Sequence, residues 1–190
     1  MNFTDCSEGL RAQTTLRPLS AADLPAYKSL RDLMLHAHPE AFTSDAETES
    51  HKPAEVLMPR LGIGRLDGRQ FTLGAFEAGR LVGAVSCEGD PRTKVQHTAH
   101  LVGMMVRPAC GGRGIGRLLL QACLSRLSQA SGVHQVSLSV TSGNVPAIRL
   151  YRSAGFVHCG THPRAVYVKG IFHDKDQMWL DLTAAVTRSR

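Results

Sequence analysis

The sequence predicts an α/β or α+β domain built on a mixed sheet, and three stretches carry that reading. "QFTLGAFEAGRLVGAVSCEGD" (70–90) is two apolar runs joined by a tight connection, which reads as an antiparallel hairpin. "HTAHLVGMMV" (97–106) is a strand that runs into glycines and then a helix, and "HQVSLSV" (134–140) is a strand that runs into a capped helix. A hairpin combined with strand–helix–strand units gives a sheet of mixed direction with helices against it. At 190 residues, 43% of them hydrophobic, the chain suffices for one such domain.

Taken in order, residues 1–13 offer few apolar side chains to bury and read as a flexible extension; 14–184 read as the domain and 185–190 as a tail. "TLRPL" (15–19) is a short strand. In "SAAD", Ser20 caps the next helix and Asp23 reaches back to it. Leu24, Tyr27, Leu30 or Arg31, and Leu33 or Met34 recur at helical spacing until Pro39 stops the helix. Residues 40–66 hold a second short helix and a loop. In the 70–90 hairpin, Gly79 supplies the positive backbone angle of the turn. The helix of 115–132 has apolar positions 115, 118, 119, 122, 123, 127 and 130, with Gly132 as its terminator. Val136, Leu138 and Val140 alternate with polar residues, as in a half-buried strand. Asn144 caps a helix, Pro146 fits its first turn, and Gly155 ends it before Phe156 opens a strand. Strands at 164–170 and 177–182 flank "HDKD", which reads as a turn.

Composition narrows the function. No window approaches the roughly 18 uninterrupted apolar residues of a membrane span, and the first twenty residues lack the apolar core of a secretory signal, so the expectation is a cytoplasmic protein with no membrane partner. Five scattered cysteines without a Cys-x-x-Cys pair fit reduced thiols, and His97 with His100 lacks the further ligands a metal needs. The net charge of +6 favours an anionic partner. The basic residues are dispersed and aromatics are few, which argues against nucleic acid; Arg107, Arg113, Arg117, Arg149 and Arg152 instead gather near two motifs that suit a phosphorylated small molecule.

The first motif is "CGGRGIGR". A Walker loop needs Gly-Lys, a pair found nowhere in the chain, and a Gly-x-Gly-x-x-Gly fingerprint begun at Gly112 or Gly114 ends on Arg117 or Leu119. Two readings stay open. The glycines either pack the helix tightly on the sheet or let successive amides converge, at the positive end of the helix dipole, on a pyrophosphate.

The second motif decides the family. "VRPACGGRGIGRLLL" followed about thirty residues later by "NVPAIRLYRSAGF" closely resembles the GNAT superfamily of acetyl-CoA-dependent N-acyltransferases, over roughly 70–182. The resemblance implies a mixed, mostly antiparallel central sheet flanked by helices, with the fourth strand (98–106) and fifth (134–141) splayed to admit pantetheine, and with a bulge at Gly103. It assigns the pyrophosphate to the backbone of Gly112, Arg113, Gly114, Ile115, Gly116 and Arg117, an oxyanion to strand amides within Met104, Met105 and Val106, and a further cofactor contact to Asn144. Tyr151 takes the place of the general acid. Gly111 departs from the family pattern, since it stands where Arg or Gln usually adds a side-chain donor.

A base must also neutralise the acceptor ammonium. His100 is the candidate, because strand alternation would put it on one face with Val102, Met104 and Val106; a water-relayed path is the alternative. The expected activity is acetyl transfer from acetyl-CoA directly to a primary amine, on a small molecule or on a protein N-terminus or lysine, through a ternary complex and without a metal. The rival is a coenzyme-A-binding sensor or interaction module with little turnover. A homodimer is left open. Acids in "HPEAFTSDAETESH" and "GIFHDKDQ" would draw a cationic amine.

Overall fold

The computed structural model describes residues 13–65 and 67–183; the extension and tail read from the sequence lie outside or at the edge of these. Strand β1 (Thr15–Pro18) leads through a 3-10 turn into helix α1 (Leu24–Ala37). The Asp23 carboxylate accepts from the Ser20 backbone N–H at 2.8 Å and from the Ser20 hydroxyl at 2.8 Å, and it receives both Arg17 guanidinium arms at 2.7 Å. Leu24, Tyr27, Leu30, Arg31, Met34 and Leu35 are buried along one stripe of α1, and Pro39 follows its end. The connecting segment carries α2 (Ala46–Ser50), capped by the Asp45 side chain, and a 3-10 helix over Ala54–Leu61.

The hairpin read at 70–90 is β2 (Phe71–Glu77) and β3 (Arg80–Gly89), with Gly79 at φ +77°. Then follow β4 (Thr98–Val106), α3 (Ile115–Ser128), β5 (Gln135–Thr141), α4 (Val145–Ser153), β6 (Val157–Val168) and β7 (Ile171–Asp181). Two sequence expectations change here. Helix α3 ends at Ser128, before Gly132, which adopts φ +77° in the loop beyond it. "HDKD" is not a turn: residues 173–176 lie inside β7, and the chain reverses at Lys169 (φ +48°) and Gly170 (φ +84°). Two left-handed residues in succession match the right-handed twist of a tight hairpin, whereas polar composition alone does not reverse a strand.

The described residues form a seven-stranded sheet in the order β1-β2-β3-β4-β5-β7-β6, and all its pairings but β4–β5 are antiparallel. One face is covered by α3 and α4, through buried Ile115, Leu119, Leu120, Leu127 and Tyr151. The other is covered by α1 and the 54–61 helix, through Tyr27, Leu30, Leu57 and Leu61.

Two irregularities in β4 prepare the site. Its pairing with β5 is confined to Thr98–His100 against Gln135–Ser137, after which the two strands part. Its register with β3 passes from Ser86↔Val102 to Ala84↔Met105, so Gly103 and Met104 together oppose Val85. Gly103 has φ +59°, a conformation that costs a residue with a Cβ about 1–2 kcal/mol. The extra residue reverses the alternation. Before it Ala99 and Leu101 face the α3 layer; after it Met104 and Val106 do, and Met105 turns to the α1 layer. His100 therefore shares a face with Val102 but not with Met104 or Val106, and the alternation argument that grouped them fails at the bulge.

Candidate active site

The glycine loop opens a row of unpaired donors. Cys110 and Gly111 donate their backbone N–H groups to Arg107 and Pro108, and the helical ladder begins with Leu118 donating to Gly114. Between them, the amides of residues 112–117 have no hydrogen-bond acceptor among the described residues. Gly112 (φ +71°) and Gly114 (φ +83°) both take left-handed backbone, and a Cβ added at either would meet no atom within 4 Å. Gly116 has another function, since its missing Cβ lets Leu150 of α4 approach to 3.3 Å of that point. Gly111 has φ −62°, which any residue adopts.

Two of the five arginines gathered near this loop, Arg107 and Arg113, are spoken for. The Arg113 guanidinium makes two bonds to Glu77 at 2.9 and 3.0 Å, Arg107 Nε donates to Leu81 O, and Arg117 lines a separate hollow beside Leu120 and Ser153.

Gly111, Gly112, Gly114 and Gly116 line a cavity of about 690 Å³, together with Asn144 and Leu150. It continues into an inner cavity of about 280 Å³ that shares Met104, Thr141 and Asn144 with it and reaches Tyr151 through the splay. Along this passage Arg107 N–H donates to Val82 O at 2.8 Å, so alternation directs the Val106 and Met104 amides away from β3, toward the side β5 has vacated. The Asn144 Oδ1 caps α4 by accepting from Ala147 N–H at 3.1 Å. Tyr151 is 5% exposed and stacks edge-on against Phe156, and its hydroxyl makes no hydrogen bond among the described residues. Burial, aided by the nearby Cys123 thiol, pushes its phenol well above the ordinary range, so it stays protonated at neutral pH.

His100 lies outside both cavities, its ring exposed and its Nδ1 2.5 Å from Ser137 Oγ at the closed end of the splay. The inner cavity holds residues that no sequence motif marked: Phe42, Arg31, Arg60 and Lys175. Segment 40–44 reaches them because it is tied across the splay, with the Thr141 hydroxyl donating to Glu40 O at 2.7 Å and Lys175 Nζ to Ala41 O at 2.8 Å. Of the acids expected to draw a cationic amine, Glu40 lines the outer cavity, while four others are engaged away from the inner one. Asp45 caps α2, Glu49 pairs with Lys52, Asp174 accepts from Arg164 N–H, and Asp176 accepts from Ser142 and Thr161. No carboxylate or imidazole lines the inner cavity among the described residues.

A sheet splayed at one parallel pair, with an amide cradle at the mouth of the splay, defines a GNAT-like acyltransferase fold. Residues 27–156 match the acetyltransferase (GNAT) family, and the chain belongs to it. It is 31% identical over 135 residues to a mycothiol acetyltransferase of Nocardioides sp., covering 68% of this chain and 44% of that protein. It is 39% identical over 99 residues to the N-alpha-acetyltransferase RimI of Mycobacterium tuberculosis, covering 52% and 59%. The match thus spans about half the length of each of these two relatives. In structure it resembles YncA of Salmonella typhimurium, solved with its cofactor acetyl-CoA, at a TM-score of 0.73 and 24% identity over 90% of this chain and 94% of that one.

Proposed function

We propose that the chain is an acetyl-CoA-dependent N-acetyltransferase that passes the acetyl group directly to a primary amine in a ternary complex. The observation that carries this reading is the run of six amides, 112–117, unpaired among the described residues, beside a cavity that Gly112, Gly114, Ile115 and Gly116 line and that leads through the splay to Tyr151. Those donors, at the positive end of α3, fit a pyrophosphate. Acetyl-CoA supplies a thioester whose C–S bond breaks as the amine's N–C bond forms, the amine nitrogen losing a proton and the thiolate gaining one.

Each residue then has a separate task. The Gly112–Arg117 backbone holds the diphosphate, and Asn144 stands where the outer and inner cavities meet. The Val106 and Met104 amides donate to the carbonyl oxygen as negative charge develops on it, in a site with little competing water. Tyr151 donates its proton to the departing sulfur. Its raised pKa is matched by the thiolate's own, because the same burial disfavours both anions. With His100 outside the cavity, the amine proton leaves through water. Arg31, Arg60 and Lys175 favour the neutral amine by raising the cost of an ammonium beside them.

The alternative, a coenzyme-A-binding module without turnover, draws on the lack of a protein base in the inner cavity. Thiol release from acetyl-CoA across a panel of amines separates the two: release above the rate of acetyl-CoA alone supports the enzyme, and none with any amine refutes it.

A further inference from the structure

The inner cavity is lined by three cations and no acid among the described residues, which is an unusual surface for a site that admits an amine. Arg31 is 4% exposed; one guanidinium arm donates to Ser44 Oγ at 2.7 Å, but its buried Nε has no hydrogen-bond partner, and Glu49 stands 3.6 Å away. The Arg60 guanidinium makes no hydrogen bond among the described residues, with Glu88 at 3.9 Å and the Gly103 bulge beside it. Lys175 is 6% exposed and, among the described residues, donates only to the Ala41 carbonyl and has no carboxylate paired with it. Burial lowers its pKa, the mark of a cation held without a counter-ion.

Arg31 and Arg60 are thus each in ion-pair range of one acid that does not line the cavity, and Lys175 has no acid beside it among the described residues. A buried charge with unmet donors is costly unless something pairs with it. A bare amine arriving as an ammonium would be repelled here. An amine that carries its own anion would be drawn in, its carboxylate meeting the donors of Arg31, Arg60 and Lys175 while its nitrogen faces the Met104 and Val106 amides. At about 280 Å³ the space lies just below the usual range of small-molecule sites, room enough for a free amino acid.

We infer that the acceptor is a small amino acid whose carboxylate is held by Arg31, Arg60 and Lys175. This rests on the acetyl-transfer reading and adds to it the chemical class of the acceptor. The products are then an N-acetyl amino acid and free coenzyme A thiol.

The test uses matched triples: alanine, methionine and phenylalanine, each with its amide and its decarboxylated amine. Binding to the protein with coenzyme A is measured by calorimetry, and thiol release from acetyl-CoA by rate. For the best side chain, the acid should exceed its amide and amine by at least about 10²-fold in kcat/KM, since a site built for a polar group rejects the analogue that lacks it. In Lys175→Met, and separately in the more exposed Arg60→Gln, that ratio should fall by about tenfold or more.

Amides or amines that match the acids overturn the inference while leaving acetyl transfer standing, as does a C-terminally amidated peptide acetylated faster than any free amino acid. Acids that bind more tightly than amides, without thiol release from any amine, uphold the carboxylate site and overturn the acetyl-transfer reading instead. Neither binding nor release overturns both.

Discussion

Replacing Gly114 with glutamate places a carboxylate at the entrance of α3, among the amides of 112–117 that have no acceptor among the described residues. Gly114 has φ +83° and no atom within 4 Å of where a Cβ would stand, so a side chain fits in space but strains the backbone, by about 1–2 kcal/mol. Glutamine carries the same strain and nearly the same bulk, which makes it the control. The difference between the two is charge. At about 5 Å and an effective dielectric constant of about 20, a carboxylate and one phosphate charge repel by about 3 kcal/mol, or about 10²-fold in Kd. Titration calorimetry with coenzyme A should therefore find Gly114→Gln weakened mainly by bulk and Gly114→Glu weaker again by about 10²-fold at low salt. The gap should shrink as salt screens it. Equal affinity of the two variants would refute the cradle, because a pyrophosphate on these amides cannot be indifferent to the added charge.

Tyr151→Phe should lower kcat by about 10²-fold or more while leaving acetyl-CoA affinity within about twofold, since only the hydroxyl is lost; unchanged turnover in steady-state kinetics would remove Tyr151 from proton transfer. Leu119→Ala, in the fully buried seam between α3 and the sheet, should cost about 2–5 kcal/mol in urea unfolding. The Asp23 carboxylate is held well below its usual pKa, first by its Arg17 hydrogen bonds and then by Ser20, so its contribution is present above the unfolded-state pKa and fades as pH falls toward the folded value. Asp23→Asn should then destabilise by about 1 kcal/mol at pH 7, a gap in unfolding free energy that closes progressively below about pH 4. A gap independent of pH would show that the ionised carboxylate is not what matters.

Features fixed by short-range physics were legible in the chain. Gly79 sets the hairpin turn, Ser20 and Asp23 start α1, and Asn144 caps α4, because each acts on backbone within a few residues. The parting of β4 and β5 and the bulge at Gly103 were legible through the two family motifs, and the register of both strands bears them out. His100 shows where such reading ends. One inserted residue reverses the alternation beyond Gly103, so a face count along the sequence groups residues that the folded strand separates.

By itself, then, the sequence determined the left-handed turns at Gly112 and Gly114 and the helix behind them, because left-handed backbone and unpaired N-terminal amides follow from residue type and order. Only the tertiary structure decided what lines the inner cavity. Arg31, Arg60 and Lys175 come from α1, the 54–61 helix and β7, and no local pattern marks them as neighbours. Their convergence depends on the sheet order that sets β7 beside β5 and on the bonds of Thr141 and Lys175 that tie segment 40–41 across the splay. Asp45 and Glu49, by contrast, bond within three residues of themselves, to the Thr48 amide and to Lys52.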